Sequence, residues 1–268
     1  MSVTVAIVLI LSGVVVGFIN TLSAGGTTIS IALFLAMGID VQSINAVNRI
    51  GVLIQNGFGS AMFYKQGYYK LKDILPYSIP VMLGALAGSL TAVNLSEKTF
   101  SVCLAIVLLI MIVFLFVEKK KTNKQEKPLT LKRFLLFFPA FFGIGFFGGF
   151  VQTGTGFLLI AALSLLIGFD LVKTVATRMA LMFLYTVVAI IVFFVRGEVE
   201  LQYWFYGLIH SLGMIFGTWI AGKYALKKGE KMVRIVIVFV IILTALNLFG
   251  IYCCPVKLKT AQFVAPKP

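Results

Sequence analysis

Apolar runs near twenty residues in length, roughly the thickness of a bilayer's hydrocarbon core, follow one another along this chain. Two of them are bounded at matching places by glycine–threonine breaks, Ser23-Ala24-Gly25-Gly26-Thr27-Thr28 and Gln152-Thr153-Gly154-Thr155-Gly156. In lipid a backbone must satisfy its own amides and carbonyls, so only helices and closed barrels cross. The short alternating strands of a barrel are absent. Non-helical backbone at bilayer depth survives where it lines a cavity or binds something. Each break precedes a short apolar segment, 29–37 and 157–167. Short, glycine-interrupted segments at corresponding places in two halves point to a transporter's substrate site.

The 268 residues are 60% hydrophobic and 12% charged, more apolar surface than a soluble domain of that size can hide. The fold class read here is all-α, a multi-pass protein of the cell membrane, bacterial or archaeal. Met1-Ser2-Val3-Thr4 carries no basic region, so the first apolar run reads as a retained helix and not a cleaved signal. Cys103, Cys253 and Cys254 have no metal or redox spacing, and no metal or other cofactor is expected. The net charge of +14 comes largely from 118–133 and 223–234, the excess that cytoplasmic loops carry. Nucleic acid is therefore not an expected partner. The lipid bilayer and a small anionic substrate are; an oligomer is left open.

Ten apolar segments can be drawn: 3–20, 29–37, 45–64, 74–94, 99–117, 134–150, 157–167, 174–195, 201–223 and 232–252. They read as about eight full transmembrane helices plus two short broken or re-entrant segments. At a spacing of 130, Gly26, Gly38 and Asp40 fall on Gly156, Gly168 and Asp170; at 129, Arg49, Gly84 and Gly88 fall on Arg178, Gly213 and Gly217. That order implies an internal duplication, with repeat 1 at 1–118, a basic cytoplasmic linker at 119–132, repeat 2 at 133–252 and a tail at 253–268. With the linker inside, the basic loops 65–72, 170–178 and 223–234 fall inside, while 97–98 and 196–200 fall outside. The matching loops 65–72 and 196–200 then lie on opposite sides, which makes the repeats inverted.

Where a helix restarts after a break its first amides are unpaired and its dipole is positive, and a glycine-rich approach lets an anion come close. Ser23, Thr27, Thr28, Gln152, Thr153 and Thr155 add hydroxyl or amide groups. In an inverted repeat the two breaks would meet near the midplane. The bland alternative is that glycine and threonine merely let helices pack closely. Arg49 and Arg178 stand near the starts of their helices, where a buried arginine is usually functional but can also snorkel to headgroups. Asn45, Asn48, Gln55 and Asn56 share roughly one face with Arg49, and Thr174, Thr177 and Tyr185 one with Arg178. Such stripes line a cavity or glue helices together. Asp40 and Asp170 read as helix N-caps. His210 reads as a helix-to-helix hydrogen bond, with proton coupling the other reading. The Gly84/Gly88 and Gly213/Gly217 pairs read as packing seams.

In the order of these elements, over about residues 5–250, the chain resembles the sulfite exporter TauE/SafE family of membrane permeases. The resemblance rests on Gly17-Phe18-Ile19, Ser23-Ala24-Gly25-Gly26, Gly38-Ile39-Asp40 and Asn45-Ala46-Val47-Asn48-Arg49 in the first half. In the second half it rests on Gly148-Gly149, Gln152-Thr153-Gly154-Thr155-Gly156, Gly168-Phe169-Asp170 and Val175-Ala176-Thr177-Arg178. It implies a secondary transporter of sulfur-containing anions such as sulfite or organosulfonates, often an exporter, with proton coupling.

The expected function is thus a non-enzymatic permease that moves such oxyanions by alternating access. The expected substrate-binding residues are Ser23, Gly25, Gly26, Thr27, Thr28, Asn48, Arg49, Gln152, Thr153, Gly154, Thr155, Gly156, Thr177 and Arg178. The alternatives are a transporter or channel for another small organic anion and a structural or assembly subunit. An enzyme would need clustered His, Asp, Glu or Cys at bilayer depth, which the sequence does not offer.

Overall fold

The computed structural model describes residues 2–23, 25–96, 98–104, 106, 130–196 and 201–225. Their regular structure is helical throughout. In order come α1 (Val3–Ser23), α2 (Thr27–Ala36), α3 (Val41–Lys65), α4 (Leu71–Val93), α5 (Leu131–Phe150), α6 (Thr155–Ala161), α7 (Leu171–Arg196) and α8 (Leu201–Ile220). α6 runs directly into a π-helical stretch, Ala162–Ile167, and α8 into another, Ala221–Ala225. Residues 98–104 begin the expected fifth segment. Apart from residue 106, the rest of that segment, the linker up to residue 129, the last segment 232–252 and the tail lie outside the described residues.

Five helices are long and apolar enough to cross a membrane: Val3–Leu22, Ile74–Val93, Leu131–Phe150, Val172–Arg196 and Tyr203–Lys223. α3 has the length, at 25 residues, but not the composition. Its Asn45, Asn48, Arg49, Gln55 and Asn56 are all buried, and it packs against α2, α7 and α8. Protein, not lipid, surrounds its polar stripe.

The surface shows the reverse of a soluble protein's pattern. Val3, Ile7, Leu11 and Val15 on α1, and Phe205, Leu208, Leu212, Phe216 and Trp219 on α8, are exposed at helical spacing. The interior packs two apolar clusters but also encloses arginine, asparagine and threonine.

Two seams fix the helix pairing. A Cβ on Gly13 or Gly17 of α1 would come within 2.2 Å of a carbonyl oxygen of α8, and one on Gly213 or Gly217 of α8 within 2.0 Å of a carbonyl of α1. Gly84 and Gly88 of α4 stand in the same relation to α5, as Gly145 and Gly149 of α5 do to α4. Residue numbers rise together along each seam, so both pairs run parallel. Each seam joins a helix of the first half to one of the second. α3 and α7 also meet across the halves, but Gly57 lies against Phe183 and Gly59 against Met179, so these two run antiparallel.

The duplicated Gly-x-Asp turn has a local cause in each half. Gly38 (φ +79°) and Gly168 (φ +91°) take the left-handed conformation that ends a helix. Two residues later Asp40 and Asp170 cap the next one: Asp40 accepts from the Ser43 amide at 2.8 Å, and Asp170 from the Val172 and Lys173 amides at 2.9 and 3.0 Å.

Candidate functional site

The first break leaves α1 at Ser23 and re-enters a helix at Thr27. The side chain of Ser23 and all of Ala24 lie outside the described residues. Asn20, which sequence reasoning passed over, organises the turn. Its Oδ1 accepts from the Gly26 amide at 3.1 Å, and its Nδ2 donates to Gln55 Oε1 at 3.0 Å. Gln55 in turn donates to the Gly17 carbonyl, tying α1, the break and α3 together. Gly26 passes so close to α1 that a Cβ there would lie 2.5 Å from the Val16 carbonyl oxygen.

The second break is sharper. Gln152 holds φ +67°, unusual for a residue with a side chain, and Gly154 holds φ +90°. The helix restarts at Thr155, so Gly156 lies within its first turn and not in the break. Several first-turn amides are occupied locally. Those of Thr28 and Ile29 reach the Gly25 and Gly26 carbonyls, and those of Thr155 and Phe157 reach Gln152 and Gly154. The Thr28 and Thr155 hydroxyls donate to the Gly25 and Gln152 carbonyls, each at 2.8 Å.

The arginines are fully enclosed, Arg49 at 0% and Arg178 at 1% exposure, so neither snorkels outward. Each caps the first helix of the other half. Arg49 Nη1 donates to the Gly148 carbonyl at 3.0 Å and Nη2 to the Gly149 carbonyl at 2.5 Å, both in the last turn of α5. Its guanidinium carbon also lies 4.7 Å from the Phe193 ring centre. Arg178 Nη2 donates to the Asn20 and Thr21 carbonyls of α1 at 3.0 and 3.2 Å. A cation at a helix C-terminus complements the dipole there. Among the described residues neither guanidinium has a carboxylate partner; Asp40 and Asp170 are exposed at their caps.

The polar stripes divide. Asn45 donates to the Phe150 carbonyl, Asn56 to Val52 of its own helix, and Thr174 to Phe169, so these act within the protein framework. Gln55 is likewise held by Asn20 and Gly17, whereas Asn48, Thr177 and Tyr185 each leave a polar atom unpartnered. Among the described residues, buried side-chain polar atoms without a hydrogen-bond partner are Thr27 Oγ1, Asn48 Oδ1, Arg49 Nε, Gln152 Oε1, Thr153 Oγ1, Thr177 Oγ1, Arg178 Nε and Nη1, and Tyr185 Oη. All but the last belong to residues the sequence nominates. Tyr185 stood only in the stripe with Arg178, and its spacing of seven was the available signal.

His210 fastens helices to one another. Its Nδ1 faces the Leu9 carbonyl at 2.9 Å, which can only accept, so in the neutral ring Nε2 accepts from Ser30 Oγ at 3.0 Å. The imidazole therefore joins α8 to α1 and to the short α2.

Known proteins resemble this chain over most of its length. Residues 9–248 match the model of the sulfite exporter TauE/SafE family. A probable membrane transporter protein of Sinorhizobium, ORF9, is 28% identical over 90% of this chain and 91% of its own length. One from Haemophilus influenzae is 27% identical over 84% and 87% of the two chains, and YfcA of Escherichia coli, also described as a probable membrane transporter protein, is 24% identical over 87% and 85%. No solved structure matches. With its apolar spans and family match covering nearly the whole sequence, the chain belongs to the sulfite exporter TauE/SafE family of multi-pass membrane transporters.

Proposed function

We propose that the protein carries a small sulfur-containing oxyanion, such as sulfite or an organosulfonate, across the cell membrane by alternating access, as a proton-coupled exporter. The observation that carries this reading is a pair of fully enclosed guanidiniums with no described carboxylate beside them. Burying a cation is costly unless a counter-charge accompanies it. Their helix-end carbonyls supply only part of that compensation. A bound anion supplies the rest.

The unpartnered atoms agree in chemistry. They comprise guanidinium N–H groups on both arginines, the hydroxyls of Thr27, Thr153, Thr177 and Tyr185, and only two obligate acceptors, on Asn48 and Gln152. Left dry, each such atom costs roughly 1–3 kcal/mol. Nine together would rival the whole stability of a folded domain, about 5–15 kcal/mol, so water or substrate must take them up. A donor-rich, cationic set of this kind fits an oxyanion.

The inverted arrangement of the repeats is supported by the antiparallel meeting of α3 and α7, which occupy equivalent places in the two halves. Since each seam locks a helix of one half to a helix of the other, rocking would occur between the α1–α8 pair and the α4–α5 pair.

The test is a thermal-shift titration of the purified full chain with sulfite, sulfoacetate, sulfate, taurine, acetate and a neutral sulfone. An oxyanion at about 100 times its Kd should add roughly 2.7 kcal/mol to stability, and the sulfone nothing. Arg178→Gln should abolish the response. Equal stabilisation by the neutral sulfone, or a full response in Arg178→Gln, would overturn the reading. In proteoliposomes, flux indifferent to a proton gradient would replace coupled transport by a passive channel.

A further inference from the structure

Tyr185 lies two turns beyond Arg178 on the same face of α7. It is 0% exposed and among the largest fully enclosed side chains. Its ring packs on Gly148, where an added Cβ would lie 3.0 Å from Tyr185 Cζ. The Gly148 carbonyl is the one that accepts from Arg49 Nη1. The phenol thus stands on the second half's arginine helix, against the anchor of the first half's arginine.

Its oxygen lies beside the hydroxyls of Thr155 and Thr186 but makes a hydrogen bond of acceptable geometry with neither. Thr155 donates to the Gln152 carbonyl, and Thr186 accepts a long contact, 3.5 Å, from Gln152 Nε2. The equivalent residue in the first half, 129 positions earlier, is Asn56. That amide donates to Val52 within its own helix at 2.8 Å. One half therefore presents a self-satisfied amide where the other presents a phenol O–H that makes no well-formed hydrogen bond to the threonine hydroxyls beside it. Buried groups of that kind are few in proteins, and each calls for an explanation.

We propose that Tyr185 is a substrate-binding residue whose O–H donates to one oxygen of the anion held by Arg178. This rests on the anion reading given above and deepens it: the duplicated framework binds its cargo unsymmetrically, toward the second half. The cargo then needs one oxygen for the guanidinium and another for the phenol. That favours sulfite, sulfonates and carboxylates over a halide.

The experiment measures Kd by thermal-shift titration for wild type, Tyr185→Phe, Asn56→Leu and Arg178→Gln, with sulfite, sulfoacetate, acetate and bromide as probes. Tyr185→Phe should keep or raise the ligand-free melting temperature, because the hydroxyl it removes makes no well-formed hydrogen bond. It should weaken the best-bound oxyanion about ten-fold or more, as expected for a hydrogen bond to a charged group. Asn56→Leu should leave that Kd unchanged. An unaltered Kd in Tyr185→Phe, with Arg178→Gln still non-binding, overturns this proposal and spares the anion reading. A Tyr185→Phe chain that melts early or fails to fold also overturns it, since the hydroxyl would then have a structural task. Failure of every probe to stabilise wild type removes both readings together.

Discussion

Asp40 and Asp170 are the only described acids for which side-chain partners are seen, and those partners are local amides. Both are exposed and neither faces an arginine. Their task is capping, which is worth about 1 kcal/mol per helix. Asp40→Ala and Asp170→Ala should each lower unfolding stability by about that amount, and the double variant by the sum, since the caps belong to separate helices. Asn at either position should restore most of it. Transport per folded molecule should not change; lost transport with stability intact would move the aspartates into the mechanism. At this scale the sequence was readable where chemistry is local. A Gly-x-Asp turn dictates its own cap, and the threonines of the breaks and the arginines of α3 and α7 stand out against an apolar background. Asn20 and Tyr185 were harder to see. A lone asparagine at a helix end and a tyrosine amid aliphatics have ordinary explanations until a distant carbonyl, or the lack of one, is known. Nor could spacing show that Arg49 and Arg178 rest on the ends of α5 and α1, because those contacts cross 99 and 157 residues of chain.

The seams belong to the scale of elements. In lipid no hydrophobic force drives helices together, and close backbone approach at small residues does much of the work. Gly84/Gly88 and Gly213/Gly217 were legible as seams from their spacing alone. Their complements Gly13/Gly17 and Gly145/Gly149, and the choice of partner helix, were not, since spacing carries no address. The geometry makes a sharp contrast within α5. A Cβ on Gly145 would lie 2.1 Å from the Val81 carbonyl oxygen and 2.7 Å from two further backbone atoms, which can yield only if the helices part. A Cβ on Gly143 meets nothing within 4 Å. Gly145→Ala should therefore destabilise by about 1–3 kcal/mol or more, the usual range for overpacking. Gly143→Ala should be neutral or stabilising by up to about 1 kcal/mol through its better helix propensity. Reversible unfolding in detergent measures both. Equal losses would mean that helix propensity, and not the seam, governs this pair.

At the scale of the molecule, the seams and the arginine caps impose one consequence: neither half is a self-contained body. α1 is joined to α8 and capped by Arg178, while α5 is joined to α4 and capped by Arg49. Such an exchange is what a two-fold relation between halves produces. The parallel seams and the antiparallel α3–α7 meeting are together compatible with an axis in the membrane plane, which reverses one half relative to the other. Parallel repeats would instead set α3 and α7 in the same direction. The charge pattern predicts a sidedness for this geometry: the loop after α3, with Lys65, Lys70 and Lys72, is expected inside, and the end of α7 at Arg196 is expected outside. Single cysteines replacing Gln66 and Arg196, both exposed, in a chain with Cys103, Cys253 and Cys254 changed to serine, turn that into a measurement. A membrane-impermeant maleimide added to intact cells should label the Arg196→Cys chain and leave the Gln66→Cys chain unlabelled until the cells are opened. Labelling of both from one side would make the repeats parallel. The two arginines would then approach the cargo from the same direction, and the helix ends they cap could no longer exchange exposure by rocking.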